Sequence, residues 1–273
     1  MKFHDIFPKN KPIIAVIHLL PLPGSPLYEG NPSKIYEQAL SEAEIFERQG
    51  VHGIIIENFR DIPFYPDRVP AETVAFMSSL SREIINKTRI PLGINVLRND
   101  GESAIAIATA VNAAFVRVNV HTGAIVSEQG IIQSIAHKTL RLRQSLQSKV
   151  LIFADVGVKH AAPLVTRGLG AEARDAEKRG LADALIVSGE VTGAPTSLND
   201  IEAVRQYTKL PILIGSGATP ENLGSVYNKI DGCIVGSYFK TDSDGNKNVE
   251  EERVKIFMQK YHELAHPESL RKS

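Results

Sequence analysis

Eight short runs rich in Ile and Val recur along the 273 residues, each followed by a polar turn and then an amphipathic stretch. They are Ile13–His18, Gly53–Asn58, Leu92–Val96, Phe115–Val120, Val150–Asp155, Ala184–Ser188, Ile212–Gly215 and Gly232–Gly236. The runs are apolar throughout instead of alternating, as strands buried on both faces of a parallel sheet must be. The segments between them, Ser33–Gly50, Ala71–Thr88, Glu102–Ala113, Gly130–Leu146 and Ala171–Arg179, carry helical periodicity. Strands alternating with helices imply βαβ crossovers. Eight such units predict an α/β fold, a single parallel (β/α)8 TIM barrel. An open doubly wound sheet is the rival, and it commonly places a Gly-rich turn after its first strand. Here the first strand runs into the Pro-rich His18-Leu19-Leu20-Pro21-Leu22-Pro23-Gly24, and the Gly-rich turns follow strands seven and eight.

No linker or low-complexity tract divides the chain, so residues 1–273 read as one domain: a barrel over about 10–240, a final helix over about 249–265 and a frayed tail at 266–273. The polar stretch Lys240–Asn248 reads as a solvated loop, because it lacks the terminal bidentate Glu of an EF-hand. Lys plus Arg equals Asp plus Glu at 31 each, which argues against nucleic acid as a partner. The lone Cys233 sits in an apolar run and reads as a buried structural thiol; no disulfide or Cys-based zinc site can form from it. The first residues lack the apolar core of a signal peptide, and no stretch approaches the ~20 apolar residues of a membrane span. A cytoplasmic protein is expected, with peripheral attachment to the cytoplasmic side of a membrane as the alternative. A homo-oligomer is the expectation from base rates alone.

The most informative segment is Gly215-Ser216-Gly217-Ala218-Thr219-Pro220-Glu221, which leaves an apolar strand and opens a helix. Thr219 suits the N-cap, Pro220 the first helical position, and Glu221 the positive end of the helix dipole. Gly215 and Gly217 let the backbone approach a ligand closely. Gly236 and Ser237 occupy the matching place after strand eight. Barrels frequently bind phosphate with these two loops, so Gly215, Ser216, Gly217, Gly236 and Ser237 are the expected phosphate-binding residues. The plainer alternative is two tight βα turns.

Polar side chains at the C-terminal ends of barrel strands converge over the mouth. Glu57 and Asp155 are the catalytic candidates, since apolar walls can tune a carboxyl for proton transfer. His18, Asn95, Arg117, Asn119, Lys159 and Ser188 are the substrate-binding candidates. Each has a structural alternative: a strand-end carboxylate can cap a helix, and Arg117 can pair internally with Asp155 or Glu57. His18 can bond the Pro-rich loop after it. Lys159 suits a phosphate contact or a solvated loop better than a Schiff base. No spacing such as H-E-x-x-H announces a metal site; no cofactor is expected, although transient Mg²⁺ on Glu57 or Asp155 is compatible with the residues.

At the same segments the chain resembles the BtpA/SgcQ family. The likeness lies in Ala15–Pro26, Gly53–Phe59, Pro91–Asp100, Val116–Val120, Ala154–Ala161, Ile186–Gly189 with Thr192-Gly193, and Gly215–Asn222, spanning about residues 10 to 262. The resemblance implies a TIM barrel related to phosphate-binding barrels such as the tryptophan synthase α chain. Cyanobacterial members are implicated in accumulating photosystem I reaction-centre proteins, and SgcQ-like members sit among sugar-utilisation genes.

Two functions follow as expectations. One is an isomerase or lyase acting on a small phosphorylated metabolite, a sugar or nucleoside phosphate, with acid/base chemistry at the C-terminal barrel face. The other is a non-enzymatic assembly or stability factor for a membrane complex, with Phe59, Phe64 and Tyr65 of the second βα loop as its contact residues.

Overall fold

A computed structural model describes residues 1–8, 11–158, 160–189 and 196–266. The first half of the chain comprises α1 (Phe3–Ile6), β1 (Ile13–His18), α2 (Pro32–Arg48), β2 (Gly53–Glu57), α3 (Ala71–Lys87), β3 (Leu92–Asn95), α4 (Gly101–Val111) and β4 (Phe115–Val118). An insertion of β5 (Ala124–Ser127) and β6 (Gly130–Gln133) precedes α5 (Ala136–Ser145) and β7 (Leu151–Val156). Then come β8 (Ala162–Pro163), α6 (Leu169–Lys178), β9 (Ala184–Val187), α7 (Leu198–Arg205), β10 (Ile212–Ile214), α8 (Pro220–Val226), β11 (Gly232–Val235) and α9 (Glu251–Ala265).

Eight strands close into a barrel in the order β1-β11-β10-β9-β7-β4-β3-β2, every pair parallel. Successive side chains on a strand point to opposite faces, so each strand feeds two cores. Ile13, Ala15 and Ile17 pack outward with Ala39, Ala43 and Phe46 of α2. Ile14 and Val16 point inward with Ile55, Phe115, Phe153, Ile186, Leu213 and Ile234. Burying a side chain of this size contributes about 1.5–3 kcal/mol. The Phe115 and Phe153 rings stack at 4.4 Å between centroids, and Phe3 and Phe7, from α1 and its C-cap, close the bottom of the barrel against them.

The inward column changes character at the opposite end. Two residues beyond each apolar inward position stand His18, Glu57, Asn95, Arg117, Asp155 and Ser188, followed by Gly215 and Gly236 on the last two strands. Register aligns the first three, pairing His18 with Glu57 and Glu57 with Asn95. The fold therefore puts its polar layer at the mouth.

Three sequence expectations need correction. The helix expected over Gly130–Leu146 starts at Ala136; its first residues form β6, hairpinned to β5 through Gly130 at φ +90°. In β6, Ile131 is exposed while Ile132 is buried, which is the period of a strand and not of a helix. With β8 these strands make a three-stranded antiparallel sheet, in the order β6-β5-β8. The stretch Lys240–Asn248 is not simply solvated. Lys240 is fully buried, its ammonium donates to the Val16 carbonyl at 2.8 Å, and burial lowers its pKa to about 8 against the attraction of Glu42. Gly245 in the same stretch reaches the mouth and packs on His18 and Phe59. The final helix begins at Glu251, two residues later than the sequence suggests, and residues 267–273 of the expected tail lie outside the described residues.

Candidate functional site

Arg117 rises from the end of β4 into the centre of the mouth with 5 % of its side chain exposed. Its Nε donates to Asp155 Oδ1 at 2.9 Å and its Nη2 to Asp155 Oδ2 at 2.8 Å; Nη1 donates to Glu57 Oε1 at 3.2 Å. Burial opposes the charge, but the two carboxylates outweigh it and hold the Arg117 pKa above its ordinary value. The internal ion pair entertained from the sequence is thus present, with both carboxylates on one guanidinium. Asn119 completes the shell of Asp155 by donating to Oδ2 at 3.0 Å, and Asn95 donates to Asn119 Oδ1 at 3.1 Å. Asn95 and Asn119 line neither cavity described below; their amides brace the ion network instead.

The two carboxylates are not equivalent. Both oxygens of Asp155 already accept hydrogen bonds from protein donors. Glu57 Oε2 lies 3.9 Å from Nε2 of His18. His18 Nδ1 is 2.8 Å from the carbonyl oxygen of Gly245. A carbonyl can only accept, so Nδ1 carries a proton, and the ring turns Nε2 towards Glu57. Phe59 stacks on the imidazole at 3.9 Å and 12°, fixing its plane. The His18 ring thus bonds the stretch after β11.

His18, Glu57, Phe59 and Arg117 form one wall of a cavity of about 140 Å³. Gly215, Ser216, Gly217, Gly236 and Ser237 form the other. Gly217 holds φ +69°, a left-handed conformation that suits glycine. A Cβ on Gly215 would come within 2.5 Å of both Ile186 Cγ2 and Ser188 Oγ, so only glycine lets this backbone sit against β9. Thr219 caps α8, accepting from the Asn222 amide, and Asn222 ties back to the Thr219 amide and the Gly217 carbonyl. That leaves the Gly217, Ala218, Ser237 and Tyr238 amides with no acceptor among the described residues. Arg253 fixes the far rim, lying 4.5 Å from the centre of the Tyr238 ring and donating to the Tyr238 carbonyl.

A second cavity of about 770 Å³ adjoins the β7–β9 side of the mouth, lined by Asp155 and Ser188 together with residues of β5 and of the segment from Gly157 to Leu169. The Ser188 hydroxyl is buried and has no hydrogen-bond partner among the described residues. Lys159, Thr192 and Gly193 lie outside the described residues. Among the described residues no cluster of three or more His, Cys, Asp or Glu side chains is arranged to hold a metal ion, and no helix is long and apolar enough to cross a membrane. Cys233 is buried, and burial pushes its thiol up to about 12.

Sequence reasoning missed Phe59 as the clamp on His18, and missed Gly245 and Tyr238. Phe59 carries a signal for this role, an aromatic two residues past a strand-end carboxylate. Phe64 is half-buried and Tyr65 exposed.

Solved structures share the fold. Thiamine phosphate pyrophosphorylase from Pyrococcus furiosus superposes with a TM-score of 0.57 at 16 % identity, covering 94 % of this chain and 98 % of that one. N-(5'-phosphoribosyl)anthranilate isomerase from the same organism gives 0.56 at 15 %, covering 92 % and 98 %. Among curated proteins, the photosystem I biogenesis protein BtpA of Synechocystis is 44 % identical over 95 % of this chain and 91 % of its own length. An uncharacterised protein of Thermococcus kodakarensis is 41 % identical over 94 % and 97 %. The BtpA family model matches residues 9–263, and on that match and these relatives the chain belongs to the BtpA family.

Proposed function

We propose that this barrel binds a small phosphorylated metabolite and performs acid/base chemistry on it, of the isomerase or lyase type. The observation that carries the reading is the small cavity, with glycine-rich backbone from the β10 and β11 loops on one side and a His18–Glu57 pair on the other. The four amides without acceptors among the described residues are donors for phosphate oxygens, a task backbone N–H groups perform without side-chain charge. Glu57 is the proton-transfer group and His18 its partner, or the donor to a developing oxyanion. Asp155 is a positioning residue: it fixes Arg117, and Arg117 fixes Glu57. The fold neighbours named for phosphorylated compounds support a phosphate-bearing ligand by analogy only. The single, buried cysteine suits a reducing, cytoplasmic setting.

The test is solvent exchange. Phosphorylated metabolites incubated with the protein in D₂O are followed by proton NMR for label entering at carbon. Exchange with one compound, lost in a folded Glu57→Gln variant, is the expected outcome. Exchange that persists in Glu57→Gln removes Glu57 from the chemistry.

A second reading rests on the Synechocystis relative, whose name is that of a photosystem I biogenesis protein. In that reading the barrel is an assembly factor, and the exposed Tyr65 together with Val126 and Ile131 on the outer face of the β5–β6 hairpin contact the partner. Cosedimentation with host membranes, lost in Ile131→Ser, supports it; no cosedimentation counts against it.

A further inference from the structure

The small cavity, about 140 Å³, takes a phosphate group together with only a small organic part. A larger organic part of a phosphate ester bound there extends beyond it. Arg117 lines the small cavity, Asp155 lines the large one, and the two side chains are joined at 2.8 Å. Gly215 of the small cavity and Ser188 of the large one also abut, close enough that a Cβ on the glycine would strike the serine hydroxyl. A ligand anchored at the β10 and β11 loops therefore crosses the Arg117–Asp155 pair to enter the large cavity.

The chemistry of that cavity limits what enters. Ile125, Val158, Leu164, Val165 and Leu169 give it an apolar wall, and Leu164 and Val165 are 54 % and 68 % exposed. Its charged lining is Asp155, Glu172, Asp175 and Asp200 against Arg167, an acidic excess that repels a second phosphate. Asp155 is already neutralised by Arg117, and Asp175 by Arg167 at 2.7 Å. Within this space the Ser188 hydroxyl, more than nine-tenths buried and without a partner among the described residues, stands at the boundary as a hydrogen-bond donor for a ligand oxygen.

From these contacts we infer that the ligand is a phosphate monoester carrying a bulky apolar or aromatic group, larger than a bare sugar, with that group seated against Leu164, Val165 and Leu169. This deepens the proposed function and rests on its phosphate site. The large cavity lies within the usual ~300–1,000 Å³ of small-molecule sites, so it accommodates such a group.

The experiment is calorimetric titration with three probes: inorganic phosphate, glycerol phosphate, and n-octyl phosphate below its micelle-forming concentration. The wild-type protein, Gly217→Asp and Leu164→Glu/Val165→Glu are compared, with Val165→Glu alone as a milder variant. Both altered apolar positions are exposed, so the fold survives, as a melting curve checks. Octyl phosphate is expected to bind at least about tenfold tighter than glycerol phosphate, equivalent to about 1.4 kcal/mol. The double variant removes that ratio and leaves inorganic phosphate binding unchanged; Gly217→Asp weakens all three probes. Equal affinity for octyl and glycerol phosphate overturns the apolar assignment while leaving the anion site standing. Octyl phosphate binding that survives Gly217→Asp overturns the anchoring of the ligand by phosphate, and no binding of any probe overturns both.

Discussion

Arg117 holds Asp155 through two parallel hydrogen bonds, 2.9 and 2.8 Å long, with 5 % and 1 % of the two side chains exposed. Removing one member of such a pair leaves an uncompensated buried charge. Arg117→Met is therefore expected to destabilise the fold by about 3–5 kcal/mol. Adding Glu57→Gln and Asp155→Asn to it should recover part of the loss, because the carboxylates no longer face each other unneutralised. Urea unfolding of the single and triple variants measures this, and equal midpoints would show that the network carries no such coupling.

Acid stability depends on His52. Its Nδ1 accepts from the Ile13 amide at 3.1 Å, and burial lowers its pKa from 6.5 to about 4, with His262 adding to the effect. Between those values the unfolded chain binds a proton that the folded chain does not. Stability from this residue is thus complete above pH 6.5 and lost as pH falls towards 4, by up to about 3 kcal/mol. His52→Asn keeps an acceptor for Ile13 and should flatten the pH dependence of unfolding in that window. The slope does not vanish, since burial also lowers the pKa of His121. An unchanged slope would contradict the assignment.

Gly215→Ala places a methyl group 2.5 Å from Ile186 and from Ser188. Forcing β9 and β10 apart is expected to cost about 1–3 kcal/mol in thermal or chemical unfolding. A neutral result would mean that this strand end moves freely.

Cys233 is 1 % exposed and its thiol is pushed up to about 12. It is expected to resist a thiol reagent such as DTNB in the native protein and to react fully in denaturant. Rapid native labelling would place it near a reactive surface.

Much of the fold is legible in the sequence because parallel strands buried on both faces leave unbroken apolar runs, and all eight runs correspond to barrel strands within one or two residues. Chain segments that depend on tertiary partners are less legible. The small sheet escaped because β8 is only two residues long and Gly130-Ile131-Ile132-Gln133 is too short to show its period of two. Lys240 looks like surface chemistry by residue type, and only the seam beside the Val16 carbonyl makes it a core residue. At the mouth, the inward positions His18, Glu57, Arg117 and Asp155 follow from strand alternation. Which carboxylate faces the cavity does not, because that choice is made by Arg117 gripping Asp155 bidentately and by Gly245 orienting His18 across 227 residues of chain.

The central claim is an anion site at the β10 and β11 loops, and thermal unfolding with phosphate-bearing ligands tests it most directly. Binding to the native state raises stability by about 2.7 kcal/mol at a hundredfold excess over Kd. Gly217→Asp brings a negative charge into the cradle at a φ that Asp tolerates better than most residues. A concentration-dependent rise in Tm for the wild type, absent in a Gly217→Asp protein that melts normally without ligand, is the predicted result. No rise with any phosphate compound, or the same rise in both proteins, would contradict the account.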